Sequence, residues 1–236
     1  MVEHRFYVAD AALPAPGAEL SLTGEVAHRI TRVLRMRRGE PLALFARGQE
    51  LECELIEAGS PARVRVLAEL PPEPQRIELN LYQALIRLNR FEWLIEKVTE
   101  IGVTAIVPII TERATVRANE VGATRLERWR RIAIEASEQS GRRSVPSIAT
   151  PVSYAAALSS ATGCKVFAWE GLRRPAGTRI QPDPRGLSLF IGPEGGWSDE
   201  EVERARAAGA AFMALGRNTL RSETAAIAAA TLLLLD

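Results

Sequence analysis

Three of the four residues from 71 to 74 are proline, and this cluster constrains the fold more than any other feature of the sequence. Proline has no backbone N–H and a fixed φ, so such a cluster fits neither a helix interior nor a central strand. The segment 69–76 is therefore predicted to link two domains, residues 1–70 and 76–236. A chain of 236 residues is long enough for two modest domains.

The segments before this linker are short and either apolar or alternating, which is typical of strands. Turn signals rich in glycine and proline separate them, and this spacing predicts a small antiparallel sheet or barrel. One longer segment, 25–37, has a helical pattern and interrupts the strands. The expected strands are 6–8, 41–45, 51–56 and 63–67.

After the linker, apolar strand-like runs alternate with amphipathic helix patterns. Ser198 and Glu201 have the spacing of a capping box, which opens a helix, and Ser222 is expected to cap the last one. This alternation predicts an α/β fold, a mostly parallel sheet with helices on both faces. The expected strands are 79–86, 103–110, 165–169, 187–191 and 212–215; the expected helices are 153–160, 198–209 and 222–235, with two more around Phe91 and Trp129.

The composition excludes several classes of protein. Hydrophobic residues make up 47% of the chain and charged residues 25%, which describes a globular protein rather than a disordered one. The longest apolar stretch, 224–235, is shorter than the ~20 residues that span a bilayer. The N-terminal MVEHRFYVAD does not resemble a signal peptide. With two cysteines and two histidines, neither a disulfide framework nor a metal site is expected. We therefore expect a cytoplasmic protein without a membrane partner.

Two glycine-containing loops each follow a predicted strand near the C-terminus. The first is GPEGG at 192–196, and the second is LGRNTLRSETA at 215–225. Ligands of open α/β sheets bind at the carboxyl ends of strands, where glycine lets the backbone approach them closely. Neither loop has the fingerprint of a dinucleotide site or a P-loop. Taken alone, the two loops are also compatible with plain turns.

The segment IGPEGGWSDEEVERARAAGAAFMALGRNTLRSETAAIAA, at 191–229, closely resembles the C-terminal signature of the RsmE family. Further similar segments are EKVTEIGV at 96–103 and EQSGRR at 138–143, and, nearer the N-terminus, HRFYV at 4–8, HRITRVLR at 28–35 and GE at 39–40. The likeness therefore covers nearly the whole chain. Thr219 departs from the family's usual aliphatic residue, and Trp197 stands where phenylalanine is usual.

The resemblance implies a C-terminal SPOUT-type methyltransferase domain with a trefoil knot, preceded by a small PUA-like RNA-binding β-barrel domain. Members of the family use S-adenosylmethionine to methylate N3 of a uridine in the 16S ribosomal RNA of the small subunit. Two subunits, as a homodimer, complete each active site. The residues that the resemblance assigns to the cofactor are Ile191, Gly192, Pro193, Glu194, Gly195, Gly196, Leu215, Gly216, Thr219, Leu220, Arg221, Thr224 and Ala225.

Methylation of uridine N3 requires removal of the N3–H proton or stabilisation of negative charge on O2 or O4. Arg221 is the candidate for stabilising that charge, and Glu223 or Glu194 for accepting the proton. A structural alternative is that Arg221 and Glu223 only pair with other groups or cap the last helix.

Arginine, which binds phosphate in a bidentate manner, accounts for all but two of the 30 basic residues. A GC-rich genome would also produce this bias, so position along the chain must decide. On the predicted helix 25–37, positions 28, 32 and 35 share one face, with Val33 and Leu34 buried on the other. This arginine stripe is predicted to bind RNA phosphates, a solvated helix face being the alternative. The candidate RNA-binding residues are Arg5, Arg29, Arg32, Arg35, Arg38, Arg142 and Arg143.

Three functions compete for this sequence. The first is the ribosomal RNA methyltransferase, acting on small-subunit RNA or on the assembled small subunit. The second is a nucleotide or nicotinamide enzyme, which the missing glycine fingerprint disfavours. The third is a non-catalytic RNA-binding or ribosome-assembly protein, which does not account for two glycine loops after neighbouring strands. We favour the first.

Overall fold

The computed structural model of the chain describes residues 4–8, 13–72, 77–172 and 183–234. Their contacts divide them into two compact units. The first unit holds the described residues before 75 together with 137–145, and the second holds the described residues of 75–136 and 146–236. That 137–145 joins the first unit was not predicted, because this segment follows the proline-rich linker by more than 60 residues. Of the predicted linker 69–76, the positions 73–76 lie outside the described residues.

The first unit is built on the strands β1 (Arg5–Tyr7), β2 (Glu19–Leu22), β3 (Pro41–Ala46), β4 (Gln49–Glu57) and β5 (Ala62–Glu69). They form a mixed sheet in the order β1-β3-β4-β5-β2. All pairs are antiparallel except β1 with β3, so the prediction of a wholly antiparallel sheet is wrong at β1. Strand β2 was not predicted, because its sequence, ELSL, is short and weakly apolar.

The segment 24–33 is helical, but it does not form the regular helix predicted for 25–37. Helix α1 (Gly24–His28) continues into a π-helical turn at Arg29–Val33, and Arg35 then takes a left-handed φ of 53°. Ile30 and Met36 are both buried. Residues six apart lie about 240° apart around a regular α-helix, so burying both requires the widened turn and the reversal at Arg35.

The second unit contains the strands β6 (Leu79–Ala84), β7 (Ala105–Ile110), β8 (Ser147–Ile148), β9 (Val152–Ser153), β10 (Cys164–Ala168), β11 (Leu187–Ile191) and β12 (Ala211–Met213). The order is β12-β10-β11-β6-β7-β8, with β9 also paired to β7, and every pairing is parallel. The prediction of a parallel α/β sheet is confirmed. The last strand ends at Met213, two residues earlier than predicted.

Helices cover both faces of this sheet; they are α2 (Leu88–Ile101), α3 (Ala123–Ser140), α4 (Tyr154–Ser160), α5 (Asp199–Ala207) and α6 (Ser222–Leu234). Successive side chains of a strand point to opposite faces. Tyr82 and Ala84 of β6 belong to the core that includes residues of α4 and α5, whereas Gln83 between them is hydrogen-bonded to Ser222 of α6. Within the described ranges, no helix combines the length and the hydropathy of a bilayer-spanning segment.

Two helix starts were predicted from serine residues, and the structure confirms only the first as a helix cap. Ser198 and Glu201 form both hydrogen bonds of the predicted capping box at the start of α5. Ser222 is the first residue of α6 rather than its cap, and its hydroxyl donates to the carbonyl oxygen of Gly192 at 2.5 Å. The serine thus bonds to a distant loop, which its position before an apolar run does not reveal.

Candidate active site

A cavity of about 510 Å³ opens at the carboxyl ends of three neighbouring strands, β10, β11 and β12. Its volume lies in the range of ~300–1,000 Å³ that is typical of small-molecule and cofactor sites. The loops that follow these strands and the start of α6 form its walls. The lining residues are 168–170, 172, 191–194, 196, 214–222 and 225.

All of the residues predicted to bind the cofactor line this cavity except Gly195 and Thr224. Gly195 turns toward Arg113, whose Nη1 donates to its carbonyl oxygen at 3.3 Å. Thr224 lies exposed in the first turn of α6. The structure therefore brings the two glycine loops together around one open cavity. The loops are not merely turns whose own side chains fill the space between them.

The loop after β10 forms a third wall of the cavity, which the sequence analysis did not predict. Glu170 in this loop lies so close to Gly196 that a Cβ on the glycine would stand 2.4 Å from the glutamate Oε1. Gly196 also has a φ of +70°, which favours glycine. A signal for this wall was present in the sequence. The segment 165–169 was predicted as a strand, and ligands of parallel sheets bind next to the carboxyl ends of strands, so the loop after it could have been predicted to line the site.

Trp197 fastens the loop after β11 to β10. Its Nε1 donates to the carbonyl oxygen of Ala168 at 3.0 Å, and its ring packs against Phe167 and Tyr154. Burial raises the pKa of Tyr154, whose hydroxyl donates to the carbonyl oxygen of Glu201 at 2.6 Å. Tyr154 is thus a neutral hydrogen-bond donor that packs against Trp197 and does not line the cavity.

The two predicted catalytic residues, Arg221 and Glu223, lie in different surroundings. Arg221 is exposed and lines the cavity. Glu223 is 6% exposed, lies outside the lining, and has its Oε1 3.6 Å from Nη1 of Arg90. Glu194, the other candidate for accepting a proton, is exposed and lines the cavity. Arg221 and Glu194 are therefore placed to reach a ligand directly, and Glu223 is not.

The cavity lining combines apolar surface with a few charged groups. Ile191 and Leu215 supply aliphatic walls, and 214–221 lies outside helices and strands. Among the backbone hydrogen bonds of the described residues outside helices and strands, this segment takes part in only one, at the carbonyl oxygen of Arg221, so its other N–H and C=O groups can meet a ligand. Glu170 and Glu194 add carboxylates. Such a lining suits a ligand with a flat ring, hydrogen-bonding edges and a positively charged centre.

Two of the arginines predicted to bind RNA, Arg5 and Arg143, converge on one buried carboxylate of the first unit. Their Nε atoms donate to Oε1 and Oε2 of Glu50, both at 2.8 Å, and the three side chains are between 8% and 16% exposed. Arg5 also donates to the carbonyl oxygens of Ser137, Glu138 and Arg142. The two guanidiniums hold 137–145 to the sheet and are largely withdrawn from solvent.

Arg29 forms a second internal pair of the first unit. Its Nη1 lies 2.8 Å from Oε2 of Glu138, which is 9% exposed, and its guanidinium stacks over the ring of Phe6. Glu138 also accepts a hydrogen bond from the backbone N–H of Tyr7. The sequence analysis read the segment 138–143 as part of the family signature but gave no role to its glutamate.

The other arginines of the candidate RNA surface have different positions. Arg32, Arg35 and Arg38 are exposed, and Arg142 is half-buried with its Nη2 3.4 Å from the hydroxyl of Ser144. The predicted stripe on one helix face is wrong, because the helix ends before Arg35. The flanking Val33 and Leu34 are 62% and 38% exposed, so they do not bury the opposite side as expected. What the structure presents is an exposed basic and aliphatic turn at 32–38.

Comparison with known proteins relates the whole chain to one group of enzymes. A family model described as an RNA methyltransferase domain matches residues 72–234. Ribosomal RNA small subunit methyltransferase E of Bacillus subtilis is 33% identical over 218 residues, which cover 87% of this chain and 85% of the relative.

Solved structures agree with this relation. Ribosomal RNA small subunit methyltransferase E of Neisseria gonorrhoeae bound to S-adenosylmethionine matches with a TM-score of 0.88 at 32% identity, over 97% of this chain and 95% of the other. A methyltransferase of Legionella pneumophila in complex with S-adenosylmethionine matches with a TM-score of 0.86 at 33% identity, over 97% and 96% of the two chains. The chain therefore belongs to the RsmE family, the ribosomal RNA small subunit methyltransferases E.

Proposed function

We propose that this protein transfers a methyl group from S-adenosylmethionine to N3 of a uridine in the 16S ribosomal RNA of the small subunit. The observation that carries the proposal is the cavity at the carboxyl ends of β10, β11 and β12, walled by the loops that hold the family's signature residues. Solved relatives contain S-adenosylmethionine, which supports the choice of cofactor.

The residues of the cavity fit this cofactor. Ile191, Leu215 and Leu220 would hold the adenine ring between aliphatic surfaces, and the backbone groups of the two loops would meet its polar edge. The carboxylates of Glu170 and Glu194 offer negative charge to a cationic ligand. When bound, S-adenosylmethionine supplies an electrophilic methyl group carried by a positively charged sulfonium.

The chain's own charged groups account for the rest of the chemistry. Uridine N3–H is a weak acid, so negative charge develops on O2 and O4 as its proton leaves. Arg221 lines the cavity, and its guanidinium would stabilise that charge. Of the two predicted proton acceptors, Glu194 is the better placed because it lines the cavity, whereas the carboxylate of Glu223 lies beside Arg90.

The RNA-binding role belongs to the first unit in this proposal: residues 1–70 would form a PUA-like domain, and the segment 137–145 belongs to the same unit. The exposed Arg32, Arg35 and Arg38 would bind phosphates. Arg5, Arg29 and Arg143 are engaged with buried carboxylates, so we assign them to supporting that surface rather than to contacting RNA. Arg142 stays a candidate for RNA contact.

Three further features are proposed from the family relation. The segment that contains β10 to α6 would form the trefoil knot of SPOUT methyltransferases. Two copies of the chain would form a homodimer, with the methyltransferase domain at 76–236 in contact with its copy. A cytoplasmic location follows from the substrate, since small subunits are assembled and used there.

The proposal is tested by incubating the protein with small subunits from a strain that lacks the enzyme and with methyl-labelled S-adenosylmethionine. We expect label in 16S RNA, at one uridine that reverse transcription and mass spectrometry identify as N3-methylated. Parallel reactions with free 16S RNA decide which form is the substrate. Absence of label together with retained RNA binding would contradict the proposal and favour a non-catalytic RNA-binding protein.

A further inference from the structure

Gln83 is a fully buried amide at the carboxyl end of the central strand β6. It is 0% exposed and lies opposite Ile191 of β11 in the sheet register. Its neighbours in the strand, Tyr82 and Ala84, pack into the apolar core on the other face. The side chain of Gln83 is thus turned toward α6, and it does not line the cavity.

Two hydrogen bonds connect Gln83 to the first residue after β11. Its Nε2 donates to the hydroxyl of Ser222 at 2.9 Å, and this hydroxyl donates to the carbonyl oxygen of Gly192 at 2.5 Å. The same Nε2 donates to the carbonyl oxygen of Ala84, also at 2.9 Å. We call the chain of Gln83, Ser222 and Gly192 the amide relay.

The direction of the amide relay is fixed by its two ends. The carbonyl oxygens of Ala84 and Gly192 can only accept hydrogen bonds, and a serine hydroxyl has one hydrogen to give. Since that hydrogen goes to Gly192, the group facing Ser222 from β6 has to be a donor. The NH₂ group of a glutamine supplies the two hydrogens that Ala84 and Ser222 require.

The amide relay joins the two glycine loops of the cavity. Gly192 is the first residue of the loop after β11, and Ser222 follows Arg221 directly at the end of the loop after β12. A hydrogen bond between these points holds the loops at one spacing, and Gln83 orients the serine that makes it. We infer that Gln83 is a positioning residue that sets the separation of the two loops, through Ser222, for S-adenosylmethionine binding.

A second observation separates this role from simple packing. The other amide atom, Oε1 of Gln83, has no hydrogen-bond partner in the described parts of the chain. A buried acceptor left unpaired costs stability, which an apolar side chain of similar size would not. A residue that served only to fill the core would avoid that cost, so the amide is better explained by what its NH₂ group holds.

The inference rests on the proposed function, and Gln83→Met tests it. Methionine has a similar length and volume but donates no hydrogen bond, so the chain should fold while Ser222 loses its orientation. We expect the Kd for S-adenosylmethionine, measured by calorimetry, to rise roughly three- to tenfold, the effect of one lost buried hydrogen bond. Because Gln83 does not line the cavity, this change cannot come from a lost contact with the ligand.

Ser188→Ala is the matched control. The hydroxyl of Ser188 is buried in the same sheet and donates to the carbonyl oxygen of Thr162 at 2.7 Å, but it lies near the amino end of β11, away from the cavity. This variant should lower the midpoint of thermal unfolding and leave the Kd unchanged. An equal rise in Kd for Ser188→Ala and Gln83→Met would show a general loss of stability and overturn the inference.

One variant of Ser222 completes the test. Ser222→Ala removes the hydroxyl that bonds to Gly192 and should weaken cofactor binding. Adding Gln83→Met to Ser222→Ala should cause little further loss, because both changes break the same relay. Fully additive losses, or unchanged affinity in Gln83→Met, would overturn the inference while the proposed function stands. If the parent chain itself binds no S-adenosylmethionine, the proposed function fails instead.

Discussion

Two pairs of arginines, one pair in each unit, have opposite surroundings. In the first unit, the side chains of Arg5 and Arg143 are 11% and 16% exposed, and both donate to the buried carboxylate of Glu50. In the second unit, Arg217 and Arg221 line the cavity, are exposed, and take part in none of the ion pairs found among the described residues. The function of an arginine is thus decided by the carboxylate near it in space, which its neighbours in sequence do not reveal.

The largest effect should come from removing the shared carboxylate of the first unit. In Glu50→Ala, two largely buried guanidiniums lose their partner, so the free energy of unfolding should fall by about 3–5 kcal/mol. Urea unfolding followed by circular dichroism measures this change.

Glu57→Ala is the control for this prediction. Glu57 lies on the same strand, is 63% exposed and pairs with Arg63, which is itself 46% exposed. Water screens such a pair, so its loss should cost less than about 1 kcal/mol. If the two variants lost equal stability, Arg5 and Arg143 would not be internal structural groups, and the contrast between the units would fail.

The next effect concerns turnover rather than stability. In Arg221→Ala, the cavity loses the guanidinium proposed to stabilise charge on the uridine, and kcat should fall by roughly a hundredfold. The family resemblance places Arg221 beside the cofactor as well, but we propose that its guanidinium acts mainly on the uridine, so the Kd for S-adenosylmethionine should change by no more than about twofold. Initial rates on small subunits and calorimetry measure the two quantities.

Arg217→Ala is the matched variant, since this arginine lines the same cavity and is equally without a carboxylate in the described ranges. Its kcat should stay close to that of the parent chain. Full turnover in Arg221→Ala would exclude Arg221 from the mechanism. The arginines of the cavity would then contribute no more to catalysis than those of the first unit.

A smaller effect should separate the exposed arginines of the first unit from the buried ones. The double change Arg32→Glu and Arg35→Glu should weaken RNA binding about tenfold and flatten the slope of log K against log salt by roughly 1.4, since each single-strand phosphate contact contributes about 0.7. Filter binding at several salt concentrations measures both.

Arg204→Glu serves as the comparison for the RNA prediction, because Arg204 is an exposed arginine of α5, 54% accessible, outside the candidate surface. It should leave the slope unchanged. Identical slopes for the parent chain and the double variant would mean that the turn 32–38 is only solvated surface.

The smallest effect is expected at Glu92 of the second unit. Like Glu50, this carboxylate pairs with two arginines, Arg125 and Arg128, but these arginines are more exposed than the two partners of Glu50. Burial raises the pKa of Glu92, but hydrogen bonds from Arg128 and Arg125 outweigh this and hold its pKa below the usual value. A lowered carboxyl pKa adds stability above the unfolded value of about 4.5, and this stability is lost as the pH falls through the folded value.

Glu92→Gln tests this by thermal unfolding between pH 7 and pH 3. The arginines are 36% and 63% exposed, so water screens the pair. The free energy of unfolding of the parent chain should therefore exceed that of the variant by less than about 1 kcal/mol at neutral pH. The difference should shrink as the pH falls below about 4.5. A difference that grew on acidification would reverse the sign of the argument.

Features of the fold that depend on local chemistry could be predicted from the sequence. The capping box of Ser198 and Glu201 located the start of α5, and Gly102, a residue type that commonly ends helices, ends α2 in a left-handed conformation. The parallel sheet followed from the alternation of strands and helices. By contrast, the parallel pairing of β1 and the end of the helix after His28 depend on which side chains the core buries, and no short segment encodes that.

In the candidate site, too, some features could be predicted from the sequence and others could not. The loops at 191–196 and 214–222 border one cavity because β11 and β12 flank β10 in the parallel sheet, so that the carboxyl ends of all three strands lie at the same edge. Charged groups could not be placed by that rule. Glu223 and Arg29 were read as functional from their motifs, yet they lie beside Arg90 and Glu138.

A crystal structure of the protein grown with S-adenosylmethionine tests the central claim most directly. We expect the cofactor between 191–196 and 214–222, with its adenine against Leu215 and Leu220. Cofactor density at another place in the chain, with these two loops in contact only with each other, would contradict the account.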